Sequence, residues 1–345
     1  MSDSKTSVTQ NENGTPVSPL KRSKRRMLIN SFKRFWWLYL LAICLITLLV
    51  VLLILYVAVP SIVHSKINSA QLGIDGIDVL DTKSDSFHMN INSTLTTKGG
   101  IHAKVDPFDG NLYFDEGSDQ AFATLRFPPT NNNKHQVVNI SQDVQIENLD
   151  ALDKFNVALL QREEVQIRVQ GKTKVKPAGI ARKPSATFKK VLTLAALNRF
   201  QGIVTRDAKI ELGASKGSPN FRAIVDIPNN SVFTLELGNT TFKTTADNQE
   251  IGDLTINNLL VRPGTTSLPV EAELDQTKIL GIVSKRPYCE NGIVPINLMG
   301  TNVVNNGQRL EYFIAALSTT NITVDMDIGA ILKSTLGGSF SLSCS

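Results

Sequence analysis

FRAIVDIPNNSVFTLELGNTTFKTT, residues 221–245, alternates apolar and polar side chains in two successive runs. Ala223, Val225 and Ile227 share one side of the first run, and Phe233, Leu235 and Leu237 share one side of the second. Between them stands Pro228-Asn229-Asn230-Ser231. Period-2 alternation around a Pro/Asn cluster predicts two antiparallel strands joined by a turn, each with one buried face. The same alternation recurs at Phe87, Met89 and Ile91, and at Val165, Ile167 and Val169. It returns at Leu268, Val270, Ala272 and Leu274, and at Ile322, Val324, Met326 and Ile328. Short strands at this density predict a mainly β chain of antiparallel β-sandwich type.

A weak internal repeat sets the expected number of modules. ALDKFNVALLQREEVQIRVQG (151–171) aligns without gaps on RLEYFIAALSTTNITVDMDIG (309–329). Leu152/Leu310, Phe155/Phe313, Ala158/Ala316, Leu159/Leu317 and Gly171/Gly329 match. Leu, Phe and Leu at i, i+3 and i+7 make one helical face, and an alternating strand ending in Gly follows in both copies. This predicts a first sandwich over residues 60–175, a basic connecting segment over 176–200 and a second sandwich over 201–345. One large sandwich with a coincidental match is the alternative. From Arg168 to Arg206 the chain carries no acidic residue. Its lysines either dock anionic headgroups or guard an exposed strand edge, and the second need is the more general.

Net charge is +5, with 42% apolar and 19% charged residues, enough apolar content for a sizeable core. Residues 1–34 hold eight Lys/Arg against Asp3 and Glu12, a balance of +6, so the remainder sums to −1. The basic pI therefore belongs to the tail, and net charge implies no nucleic-acid partner. Residues 1–34 read as a disordered, basic cytosolic tail. Phe35 to Val59 is uncharged and dominated by Leu, Ile and Val. As a helix it would span roughly 37 Å against about 30 Å of hydrocarbon. Lys21, Arg22, Lys24, Arg25, Arg26, Lys33 and Arg34 precede it, whereas only Lys66 follows closely. The positive-inside rule then puts the N-terminus in the cytosol, those seven cations against anionic lipid, and everything after Pro60 in the lumen or outside. A cleaved signal peptide is the alternative, with an apolar stretch beyond the usual ~7–15 residues.

On that topology Cys289 and Cys344 lie in an oxidising compartment, where one disulfide closing a loop of 55 residues is expected. In the chain-entropy picture it is worth roughly 4 kcal/mol; two unpaired buried thiols are the alternative. Sequons at Asn92, Asn139, Asn229, Asn239 and Asn321 are candidate glycosylation sites.

No catalytic constellation emerges from these residues. Gly213-Ala214-Ser215-Lys216-Gly217 fits G-x-S-x-G, but Ser218-Pro219 and an alternating strand follow where a nucleophile elbow needs a helix. The histidines, His64, His88, His102 and His135, lack metal-ligand spacing. The expectation is a non-enzyme with no cofactor and no metal.

The passage 221–245, followed by IGDLTINNLLVRPGTTSLPVEAEL (251–274), resembles a family of fungal single-pass membrane proteins. These carry a domain of unknown function related to late-embryogenesis-abundant type-2 sandwiches. The shared features are the Pro228–Ser231 turn, a turn at Gly238, the Ile251-Gly252 strand start and the Pro263-Gly264 turn. The late-embryogenesis relatives carry Asn-Pro-Asn where this chain has Ile227-Pro228-Asn229. The resemblance is good over about 200–330 and looser over 60–175. It implies a type II protein of the fungal vacuole membrane, with other endomembranes or the plasma membrane as alternatives. It further implies an interaction or sensing role with a link to autophagy control and no catalytic residues. Expected partners are membrane lipids and an unidentified lumenal protein or lipid; the alternative function is lipid binding or transfer.

Overall fold

The computed structural model describes residues 41, 43–54, 56, 61 and 71–344, apart from 97–102, 117, 132, 134, 179–182, 213, 216 and 338–341. The chain divides into Met1–Val59 and Pro60–Ser345. In the first unit the described residues are helical and their side chains exposed. Among the described residues no helix is long and apolar enough to cross a membrane. The expected span lies partly outside them, and its seven basic neighbours wholly so.

The second unit is mainly β. It runs β1 (Gln71–Leu80), β2 (Ser86–Thr96), β3 (Ala103–Val105), β4 (Phe108–Phe114), β5 (Ala123–Phe127) and β6 (His135–Gln145). Helix α1 (Leu149–Gln161), β7 (Glu164–Pro177) and β8 (Ser185–Ala195) follow. Then come β9 (Val204–Ile210), β10 (Phe221–Asn229), β11 (Phe233–Ala246), β12 (Gln249–Val261) and β13 (Gly264–Leu274). The chain closes with α2 (Gln276–Val283), α3 (Tyr288–Asn291), β14 (Ile293–Asn305), β15 (Gln308–Arg309), α4 (Glu311–Ser318), β16 (Ile322–Asp327) and α5 (Ile328–Leu336).

Two sheets result. The larger runs β6-β2-β1-β11-β12-β13-β10-β9, with β14 branching from β11 and carrying β15 and β16. The smaller runs β3-β7-β4-β5, with β8 on the other side of β7. In a first lobe, β6-β2-β1 and the start of β11 face the smaller sheet, and α1 packs between them. Phe155 of α1 stacks on Phe122 at 5.1 Å and meets Phe114 and Phe233 at 6.4 and 6.3 Å. In a second lobe the larger sheet curls round its own core, with side chains from β9 through β16 meeting inside. One contiguous apolar core serves both lobes.

Strand β11 is where the lobes join. On one edge it keeps β12 throughout; on the other it pairs with β1 in parallel at Phe233–Leu235 and with β14 at Asn239–Thr245. Two register shifts flank Gly238. Phe233, Leu235 and Leu237 are buried before it, and Thr240, Phe242, Thr244 and Ala246 after it, so the inward parity flips from odd to even. A bulge does this, and it needs glycine. Gly238 has φ of 74°, and a Cβ there would sit 2.6 Å from the Val304 carbonyl oxygen. The turn expected at Gly238 is therefore a bulge inside an unbroken strand.

Residues 176–200 include strand β8 (Ser185–Ala195), which pairs along β7 from Glu164↔Ala195 to Lys174↔Ser185. The repeat shares its helix and the start of its strand, but not its end. Gly171 lies inside β7, hemmed in by Asp109 and Phe108, whereas Gly329 belongs to α5 and lies against Gly292. The two matching helices, α1 and α4, pack on one another. Asn156 donates to the Tyr312 carbonyl at 3.2 Å, and Gln161 to Thr320 Oγ1 at 3.0 Å.

Candidate functional site

Each lobe encloses an apolar cavity, of about 70 Å³ in the first and about 60 Å³ in the second. The first is walled by both sheets, by α1 and by Tyr312 and Phe313 of α4. Its few polar side chains are engaged with backbone. Ser93 Oγ donates to the Val138 carbonyl at 2.6 Å, Asn156 Nδ2 to Tyr312, and the Tyr312 hydroxyl to the Lys83 carbonyl at 2.9 Å. Tyr312 is 1% exposed, and burial drives its hydroxyl far above the ordinary phenol range. With about 10–15 Å³ of such space per water, the first cavity has room for about five waters. Its lining offers them few bonds, so it favours apolar occupants.

The first cavity also has a neighbour. A more open groove of about 450 Å³ runs between β1 and β8, walled by Gln71–Ile74 and by Lys190–Ala195. Leu72, Ile74, Leu192 and Leu194 line groove and cavity alike. Sequence reasoning missed this site because its walls are 116 or more residues apart. Strand alternation marked inward residues, but not which sheets would stand apart.

The expected site residues are distributed as follows. Cys289 and Cys344 are bonded, with Cα atoms 5.3 Å apart, and tie the chain's end to α3. Asn92, Asn139, Asn239 and Asn321 are exposed; Asn92 and Asn139 are direct cross-strand partners on β2 and β6. Asn229 differs. It is 1% exposed; its Nδ2 donates to the Phe233 carbonyl at 2.7 Å, while its Oδ1 accepts from Ser231 N at 2.9 Å. It staples the β10–β11 turn, and a glycan, which attaches through that nitrogen, has no room there. The basic strip divides between strands: Lys172, Lys174 and Lys176 point outward from β7, and Lys183 pairs with Asp106 at 2.8 Å.

The G-x-S-x-G residues lie in the loop between antiparallel β9 and β10, with Gly213 and Lys216 outside the described residues. Another arrangement was invisible in the chain order. His88 Nδ1 lies 2.7 Å from Asp143 Oδ1 and its Nε2 lies 3.1 Å from Ser141 Oγ. Strand register alone explains it, since His88 pairs with Asp143 and Asn90 with Ser141. Asp143 is 81% exposed, and none of the three lines a cavity or the groove. The bond to Asp143 raises the His88 pKa, favouring the protonated ring, the wrong state for a base acting on serine. Among the described residues no group of three or more His, Cys, Asp or Glu is placed to hold a metal.

At the α1–α4 seam, Asp153 Oδ1 is buried without a hydrogen-bond partner. Burial, then the charges of Asp150 and Glu311, raise its pKa above the usual carboxylate value.

Comparison with curated proteins returned no match. Among solved structures, a bacterial adhesin from Mobiluncus mulieris with intramolecular disulfide, isopeptide and ester bond cross-links is similar at 11% identity. The match covers 67% of this chain and 80% of that one at a TM-score of 0.20. The CupB6 tip adhesin from Pseudomonas aeruginosa is similar at 9% identity, covering 68% and 94% at a TM-score of 0.21. Likenesses this loose carry no argument about the present fold or function. The family described as "protein of unknown function (DUF3712)" matches residues 120–244, across the seam between the lobes and only partly within the stretch of the resemblance above. The chain thus contains a DUF3712 domain from Gln120 to Thr244, running from just before β5 to near the end of β11.

Proposed function

We propose that this protein is a type II, single-pass membrane protein whose lumenal β unit acts without catalysis, as an interaction or sensing component at the fungal vacuole membrane. In this reading it takes part in autophagy control, and what it holds or senses is an apolar chain of lipid type. The observation that carries the ligand class is the apolar first-lobe cavity adjoining an open groove. The anchor reading is supported by the uncharged run 35–59 behind seven cations.

The test is native mass spectrometry of the full chain released from detergent. Co-purified lipid, lost when Val169→Phe fills the first cavity, is the expected result. A clean apo mass would leave the anchored protein-interaction role and remove the lipid. Protease added to intact vacuoles should spare the C-terminal bulk; digestion would reverse the topology.

A further inference from the structure

An interior cavity is useful to a lipid only if the lipid can reach it, and β1 and β8 provide the route. Strand β1 is paired with β2 along its length, but on its other edge β11 joins it only at Ile77–Val79. Gln71–Gly76 have no ladder partner on that edge among the described residues. Across the groove stands β8, at the end of the smaller sheet. Among the described residues the sandwich is thus open along one side.

The order of side chains through the opening is amphipathic. Lys190 shares its strand face with Leu192 and Leu194, by the two-residue period, and lines the groove but not the cavity. Leu72, Ile74, Leu192 and Leu194 stand at the junction, and Phe155, Leu159 and Ile167 lie beyond them. A cation, then aliphatic walls, then a dry interior matches a phosphate, an upper acyl chain and a tail. Room for about five waters accommodates only the last few carbons of a chain, leaving the rest to the groove.

Resting on the lipid reading above, the geometry points to this groove as a lateral portal for an acyl chain of an anionic membrane lipid, tail in the first cavity and phosphate at Lys190. A rival account exists for Lys190 alone, since an inward charge also guards a sheet edge against pairing.

The experiment places the full chain in phosphatidylcholine vesicles with photoactivatable phosphatidic acid, its diazirine set near either the carboxyl or the methyl end of the acyl chain. Cross-linked residues are then mapped by mass spectrometry. The methyl-end probe should label Phe155 or Leu159, and the carboxyl-end probe Ile74 or Leu192. Leu192→Trp should cut both by about fivefold; Ile74→Trp does the same from the facing wall should the first variant misfold. Lys190→Gln should lower labelling by phosphatidic acid about fivefold, the weight of one charge-assisted contact, and leave a photoactivatable phosphatidylcholine unchanged. Deep labelling with no groove labelling overturns the portal while the ligand reading stands. Labelling confined to residues 35–59 overturns both. Unchanged phosphatidic acid labelling in Lys190→Gln overturns the phosphate contact and returns that lysine to edge protection.

Discussion

The two lobes solve one problem differently. The first stacks two sheets and fills the space between them with α1, whose Phe155 touches rings from both sheets. The second bends a single sheet round its core and ties its end with the Cys289–Cys344 bond. Two stacked sheets have sides, and a side can stay open, as between β1 and β8. A curled sheet draws its sides together, and β9 approaches β16 and α5. Cavities of similar size therefore differ in setting: the first adjoins a groove of about 450 Å³, the second a pocket of about 10 Å³ that shares Phe221, Leu274 and Ile279 with it.

The hardest blow to this two-lobe arrangement is Gly238→Ala. It forces a Cβ against the Val304 carbonyl at a positive φ, and should cost about 3 kcal/mol or more. Because β11 serves both lobes, near-UV circular dichroism and hydrogen exchange should show both loosening together. Loss confined to one lobe would mean that the shared strand does not couple them. Next comes Cys344→Ser, expected to cost about 2–4 kcal/mol. Here the lobes should separate: exchange protection should fall in α3 and β14 and hold in β2 and β6.

Smaller and opposite in sign is Asp153→Asn. A carboxyl whose folded pKa is raised contributes stability below its unfolded value near 4 and loses it as pH rises through the folded value. Replacing it should therefore stabilise the seam at neutral pH, by under about 1 kcal/mol after solvent screening. Thermal melts from pH 4 to 7 should converge at the acid end. The faintest effect concerns the outer face of the first lobe. The hydrogen bond to Asp143 raises the His88 pKa, so its contribution is full below about 6.5 and fades as pH rises through the raised folded value. Asp143→Asn should bring the imidazole titration seen by NMR back down, with melting slightly lower at acid pH and converging with the parent as pH rises. A titration that does not move would remove the Asp143 bond as the cause.

Much of the fold was legible because strand alternation is local. Phe87, Met89 and Ile91 lie buried on β2, and Val165, Ile167 and Val169 on β7, as their spacing predicts. The reading failed where two neighbours competed for one strand. At Gly238 the broken alternation resembled a turn, because a bulge and a turn both interrupt the period and both use glycine. The basic segment contains β8, an end strand of the smaller sheet, which fits the reading of its lysines as guards of a strand edge, while its inward face carries Leu192 and Leu194. The sequons were visible as a motif, but the burial of Asn229 in its own turn was not. The candidate site was not legible at all, since Leu72 and Leu192 meet only across two sheets.

From the residues alone followed the strand periods, the basic tail before an uncharged run, and two cysteines placed beyond that run. These depend on side-chain type and spacing along a few successive positions, where geometry is nearly constant. Only the tertiary structure decided that the lobes share β11, that Ser185–Ala195 pairs along β7, and that, among the described residues, one sandwich is open at its side. Those outcomes depend on which distant strands win each edge, a competition among hydrogen-bond ladders and buried faces that no local spacing encodes.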